Sequence, residues 1–406
     1  MTRALVCGVV SVVGTACDGG GCPHADLSPV AGPAPAYAVV SSDYASTSVA
    51  LLDADGELVR AEWIDSGTTE SGIVATLSGD VSLPSAPQAE CEVALLDRFG
   101  TDVMTLLDPC GQDPVRAQVA VGLGFAANPQ DMLRMDDGSF WVSRLSVNLA
   151  AEEGAIDRGD DIAIVDLGHR RVIDRIALDA LDDGPRYARP SRMARLRAGS
   201  MDRVIVATAR LSADFADAAE GAVAVIDPET RAVERFSLAP LTNCGELDPV
   251  VGEPASAIVT CAGPTFGVEA DRRASAGLAW LELGEAGTVS VRARWIASEH
   301  PDVGVPFGPT VALGRGRLVT IAAGDVAESV DRLLAIDLDA ASATVVLEAS
   351  EAFVLGEGAY DLAQDLLLIP DAAAGVIRRL RGDIELPPID ASGCRGLPPR
   401  EVAALR

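Results

Sequence analysis

The chain has 406 residues, 49% of them hydrophobic, and a formal net charge of −28 at pH 7. That apolar content suffices for a large core and argues against a disordered chain. The acidity repels phosphate backbones and anionic headgroups, which argues against nucleic acid as a partner. Every basic side chain other than the histidines is arginine; the sequence contains no lysine.

The first residues read MTRALVCGVVSVVGTAC, with one positive charge at Arg3 and an uncharged apolar run from Ala4 to Ala16. Such a run spans about 20 Å as a helix, short of the ~30 Å hydrocarbon core, so residues 1–16 read as a signal peptide and not a permanent anchor. Thr15 and Ala16 before Cys17 resemble the lipobox of bacterial lipoproteins, with Gly14 where that pattern has leucine. The resemblance implies acylation of Cys17 and attachment to the cell envelope through lipid only, at the outer membrane, or export to the periplasm or surface. Residues 17–36 are rich in Gly, Pro and Ala without periodicity and read as a flexible tether. No later run approaches 18 apolar residues.

From residue 37 onward one pattern recurs. GAVAVIDPETRAVERFSL (221–238) reads as strand, tight polar turn and strand, and VAVID (223–227) has counterparts in VALLD (49–53), VALLD (93–97), IAIVD (162–166), LAWLE (278–282), LLAID (333–337) and the degraded VIRRLR (376–381). Each is a short apolar run of the kind buried on both faces. The closing acid is a turn-starter that bonds nearby amides. Two further strand-like runs precede each hairpin, such as RMARLRA (192–198) and RVIVATA (203–209). Four short strands repeated seven times, at intervals of roughly 44 to 69 residues, predict an all-β, seven-bladed β-propeller of four-stranded antiparallel blades over residues 37–406. The C-terminal LPPREVAALR (397–406) is similar to the inner-strand openings RPSRMARLR (189–197) and NPQDMLRM (128–135). It is expected to return as the innermost strand of the first blade and close the ring. The motif V-A-V-I-D-P-E-T-R-A-V resembles the repeat of YVTN-type seven-bladed propellers. That resemblance implies the fold but no single activity, because the family mixes binding proteins, enzymes and surface proteins.

With Cys7 in the signal and Cys17 carrying lipid, six cysteines remain, an even number that suggests disulfides in an exported protein. CEVALLDRFGTDVMTLLDPC is symmetric about Gly100-Thr101, a pair suited to a two-residue type II′ turn, and places Cys91 opposite Cys110. Cys244 and Cys261 fall on the first two strands of the fifth blade, and Cys22–Cys394 remains by elimination.

Catalytic motifs are missing from the sequence. His24, His169 and His300 fall in separate segments, and there is no G-x-S-x-G, phosphate-binding glycine loop or H-E-x-x-H, so no catalytic residue is assigned. Length has been added in the connections between second and third strands. They carry Asp43, Glu152, Glu153, Asp157, Asp160, Asp161, Asp214, Asp217, Glu220, Asp325 and Asp331 on one face of the ring. The reading is a monomeric binding module that engages a protein or small molecule by this acidic face. The DRGDD stretch offers Asp157, Asp160 and Asp161 as Ca²⁺ candidates but lacks a full calcium-loop spacing. No other cofactor is expected. The alternatives are a lactonase-like hydrolase with a site at the channel mouth, or a structural surface scaffold.

Overall fold

The computed structural model describes residues 25–30, 32–314, 316–322 and 330–405. Residues 1–16, expected to be a signal peptide, and Cys17, Cys22, His24 and Asp325 lie outside the described residues. Among the described residues, strands sort into seven four-stranded antiparallel sheets arranged as the blades of a propeller. Six blades are built from consecutive strands. Blade one takes its inner strand from the other end of the chain: Pro399–Ala404 pairs antiparallel with Tyr37–Ser42, Tyr37 opposite Ala404 and Val39 opposite Val402. The expected closure is therefore present.

The continuous apolar runs follow from how blades stack. Side chains alternate across a strand, and each face of a blade meets a neighbouring blade. In blade four, Val223 and Val225 enter the core shared with blade five, together with Ala257 and Val259, whereas Ala224 and Ile226 enter the core shared with blade three, beside Ile162 and Ile164. Outer strands meet solvent, and Ser342–Glu348 in blade six has no fully buried residue.

Blade two departs from the expected assignment. Its VALLD (93–97) is the second strand and not the third, which is Val103–Leu107. With MTLLD (104–108) substituted, the third-strand repeats start at Val49, Met104, Ile162, Val223, Leu278 and Leu333, a nearly even spacing that shortens only before the seventh, at Val376. Second and third strands are both covered on two faces, so their composition is alike and the pentapeptide cannot tell them apart. The turn also differs. Asp97 pairs with Val103, so the loop runs through Arg98–Asp102 instead of two residues, with Gly100 at φ +84°. Asp102 closes the loop at φ +48°, outside the extended region, and its carboxylate accepts the Asn128 N–H at 2.9 Å.

Cys91–Cys110 is bridged despite the changed register, Cα atoms 5.6 Å apart, and Cys244–Cys261 is bridged as expected. Cys394 is also disulfide-bonded; its expected partner, Cys22, is outside the described residues. The long fifth-blade connection contains a short helix, Glu269–Ser275, which the sequence reading did not foresee. No helix among the described residues is long and apolar enough to cross a membrane.

Candidate binding site at the channel mouth

Seven inner strands surround the axis, and several open on proline followed two residues later by a charge. Pro129, Pro190 and Pro399 precede Asp131, Arg192 and Glu401 in this way. These side chains meet inside the ring. Arg192, only 6% exposed, is the hub. Its guanidinium donates to the Leu83 carbonyl of blade two at 3.0 Å, pairs with Glu357 of blade seven, and lies 3.5 Å from Glu246 of blade five. Glu401 accepts the Ser82 hydroxyl at 3.0 Å and the Leu83 N–H at 2.6 Å. Asp131 accepts the Ser85 hydroxyl at 2.5 Å and the Met193 N–H at 2.7 Å.

Carboxylates outnumber cations here, and their protonation reflects it. Burial pushes Asp131, Asp248 and Glu357 above the usual carboxylate range; Arg192 offsets part of this, while Glu246 adds repulsion at Asp248 and Glu401 at Glu357. For Arg192, burial works against the charge, but Glu357, Glu246, Glu401 and Asp131 outweigh it and hold the guanidinium firmly protonated.

Above this cluster lies a cavity of about 210 Å³. Arg192, Glu246, Glu357 and Glu401 contribute charge to its lining, joined by Asp80, Arg98, Arg400 and the aromatic rings of Tyr44 and Phe353. A smaller cavity of about 60 Å³, lined by Asp248, Ser85 and Tyr360, shares Glu357 as a wall. Glu357 thus borders both cavities, and its partner Arg192 borders the larger one. Both aromatics at the mouth have left-handed backbone, Tyr44 at φ +66° and Phe353 at φ +60°. For bulky residues this conformation is costly and persists only where surrounding bonds impose it. The bonds are present: the Ser42 hydroxyl accepts the Tyr44 N–H at 2.9 Å, and the Asp331 carboxylate accepts the Phe353 N–H at 2.9 Å.

The acids singled out from the sequence lie elsewhere, and none of those described lines the mouth cavity. Asp43 accepts the Ala45 and Ser46 N–H groups of its own turn, next to Tyr44. Glu152 and Glu153 are exposed on blade three, and Asp157 is half-buried. Asp214 accepts from Ser212, Asp217 pairs with Arg186 at 2.7 Å, and Glu220 accepts from Ser237 at 2.6 Å. The calcium candidates diverge. Asp161 is fully buried between Arg144 at 2.7 Å and Arg175 at 3.1 Å, whereas Asp160 accepts the Ala188 and Arg189 N–H groups. Among the described residues no group of three or more His, Cys, Asp or Glu is arranged to hold a metal ion.

Asp160 and Asp331 share a structural task. Along with Asp102 they sit two residues before the third-strand repeat of blades three, six and two. Each carboxylate accepts backbone N–H groups from the connection that enters the next blade; Asp331 takes three in a row, from Phe353, Val354 and Leu355. The sequence reading placed two of these on a binding face and missed Asp102. It also missed the inner-strand charges, although the proline-plus-two spacing was visible.

No family model matches the chain, and no curated protein matches its sequence. Solved structures are similar to it. The periplasmic gluconolactonase PpgL of Pseudomonas aeruginosa has a TM-score of 0.55 at 13% identity, over 92% of this chain and 99% of that one. Hydrazine synthase of Kuenenia stuttgartiensis has a TM-score of 0.51 at 13% identity, over 78% and 81%. The dihydro-heme d1 dehydrogenase NirN has a TM-score of 0.50 at 15% identity, over 94% and 78%. The likeness is one of fold. Three neighbours with three chemistries show that the propeller does not itself specify an activity.

Proposed function

We propose that this protein is an exported, lipid-anchored propeller that binds a small polar molecule at the mouth of its channel. The observation that carries the reading is the 210 Å³ cavity, floored by Arg192, Glu246 and Glu357 and flanked by two conformationally constrained aromatics. At about 30 Å³ per water, the cavity has room for a molecule of amino-acid or monosaccharide size. The disulfides support an oxidising compartment, and the signal and lipobox pattern supplies the address. The acids of the outer loops are scaffold in this reading: Asp43 ties the turn that carries Tyr44, and the buried Asp331 positions Phe353.

The test is native mass spectrometry of the purified protein after exposure to a mixture of small polar metabolites. A bound compound should be retained by the wild type and lost from Tyr44→Ala and Phe353→Ala. Retention of no small molecule would overturn the reading. Lactonase-like hydrolysis is the second reading, favoured by the partly exposed Glu246 carboxylate 3.5 Å from the Arg192 guanidinium in the same cavity. It requires hydrolysis of glucono-1,5-lactone that Glu246→Gln abolishes.

A further inference from the structure

The charges lining the mouth cavity are not equally satisfied. Asp80 and Arg98 neutralise each other at 2.5 Å. Glu357 takes the Arg192 guanidinium, and Glu401 is held by the Ser82 hydroxyl and the Leu83 N–H. Two groups are left over. Among the described residues Glu246 has only the 3.5 Å approach to the Nε of Arg192, whose guanidinium Glu357 already engages, and its side chain is 29% exposed. Arg400 has no carboxylate within ion-pair distance among the described residues; its Nε donates to the Ser42 carbonyl at 3.1 Å, and its guanidinium lies 4.9 Å over the Tyr44 ring. One cavity therefore presents an under-satisfied carboxylate and an under-satisfied guanidinium, with aromatic surface beside them.

We propose that the ligand of the mouth cavity is a small zwitterion, a molecule carrying both an ammonium and a carboxylate group. Its ammonium is directed to Glu246 on the floor and its carboxylate to Arg400 at the rim. This rests on the small-ligand reading above and names the class of that ligand. A singly charged anion would satisfy Arg400 but face the surplus carboxylates of the floor. A singly charged cation would leave Arg400 unanswered. A zwitterion meets both groups and adds no net charge to a lining that already holds four carboxylates and three guanidinium groups. Arginine suits the carboxylate end, since its planar fork can donate two parallel bonds. Apolar atoms between the charged ends would rest on Tyr44 and Phe353.

The experiment is isothermal titration of the intact protein with glycine, 4-aminobutanoate and 6-aminohexanoate, which differ in the distance between charges. Hexanoate, hexylamine and the neutral polyol D-glucitol serve as comparisons. The expected result is that one of the three zwitterions binds at least tenfold more tightly than hexanoate, hexylamine and D-glucitol. Arg400→Met should remove the preference over hexylamine, Glu246→Gln the preference over hexanoate, and Arg400→Lys should restore part of the former. Circular dichroism melts would establish that each variant is folded. Equal binding of zwitterion and singly charged analogue, tighter binding of D-glucitol, or no zwitterion binding at all would overturn the proposal. If the mass-spectrometric experiment still captures a compound that Tyr44→Ala releases, the small-ligand reading survives that failure. If it captures none, the reading itself has failed.

Discussion

Arg192 and Glu357 are paired across the channel although 165 residues separate them in the chain. Arg192 belongs to blade four, and Glu357 leads into blade seven. Because Arg192 also reaches Leu83 in blade two and Glu246 in blade five, one guanidinium ties blade four to blades two and seven, which are not its neighbours in the ring, as well as to the adjacent blade five. Removing one partner of a buried pair costs about 3 to 5 kcal/mol, but the two partners here are not equivalent. Arg192→Met should destabilise strongly, since it leaves Glu357, Glu246 and Glu401 repelling one another. Glu357→Gln should cost much less, because other carboxylates still face Arg192. The Arg192→Met defect should shrink at pH 5 relative to pH 8, because burial and the neighbouring carboxylates already favour the protonated form of Glu357, and lower pH relieves the repulsion left behind. Chemical denaturation at both pH values checks this, and equal losses in the two variants would refute it.

Burial pushes the Asp160 carboxyl up to about 7, with the nearby Asp182 adding to the rise. An unfolded aspartate titrates near 4. Between these values the folded protein holds a proton that the unfolded chain has released, so this group's contribution to stability is present below pH 4 and is lost as pH rises to about 7. Asp160→Asn should flatten the decline over that window by up to about 1.4 kcal/mol per pH unit. Stability curves from pH 4.5 to 8 measure it. An unchanged slope would show that Asp160 is ionised throughout.

The Asp331 carboxylate holds three successive N–H groups and thereby fixes Phe353 at the mouth. Asp331→Ala should cost about 2 kcal/mol or more through buried donors left unpaired. It should also weaken ligand capture even at temperatures where the variant is fully folded. Intact capture would separate the clasp from the site.

Residues 397–405 supply both the closing strand and the site residues Arg400 and Glu401. Their deletion exposes the edge of Tyr37–Ser42 and uncovers the apolar core that Val402 and Ala404 share with blade seven. The truncated chain should melt well below the intact one and aggregate. A scan showing the two chains melting together would mean that the ring does not depend on closure.

Each mapped disulfide closes a short loop, spanning 19 residues for Cys91–Cys110 and 17 for Cys244–Cys261. Replacing either pair with alanine should lower stability by about 3 kcal/mol. Denaturant titration with and without reductant gives the comparison, and a variant as stable as the oxidised parent would contradict it.

Taken alone, the sequence settled the architecture. Runs such as Ala222–Ile226 must be covered on both faces, and the repetition of strand, turn and strand permits that covering only when like sheets stack beside one another. The closing strand was legible because Pro399, Pro190 and Pro129 open similar segments. Local pattern could not number the strands of blade two, since second and third strands are buried alike. Nor could it rank the carboxylates. Asp160 and Asp331 have the same chemistry as any surface acid, and only the approach of the next connection made them backbone clasps. The mouth site lay furthest from reach. Glu246, Glu357, Arg192 and Arg400 come from blades five, seven, four and one, and they become neighbours only when the ring closes. Charge at a distance in sequence acquires its energy from proximity and burial, and both of these are properties of the folded ring.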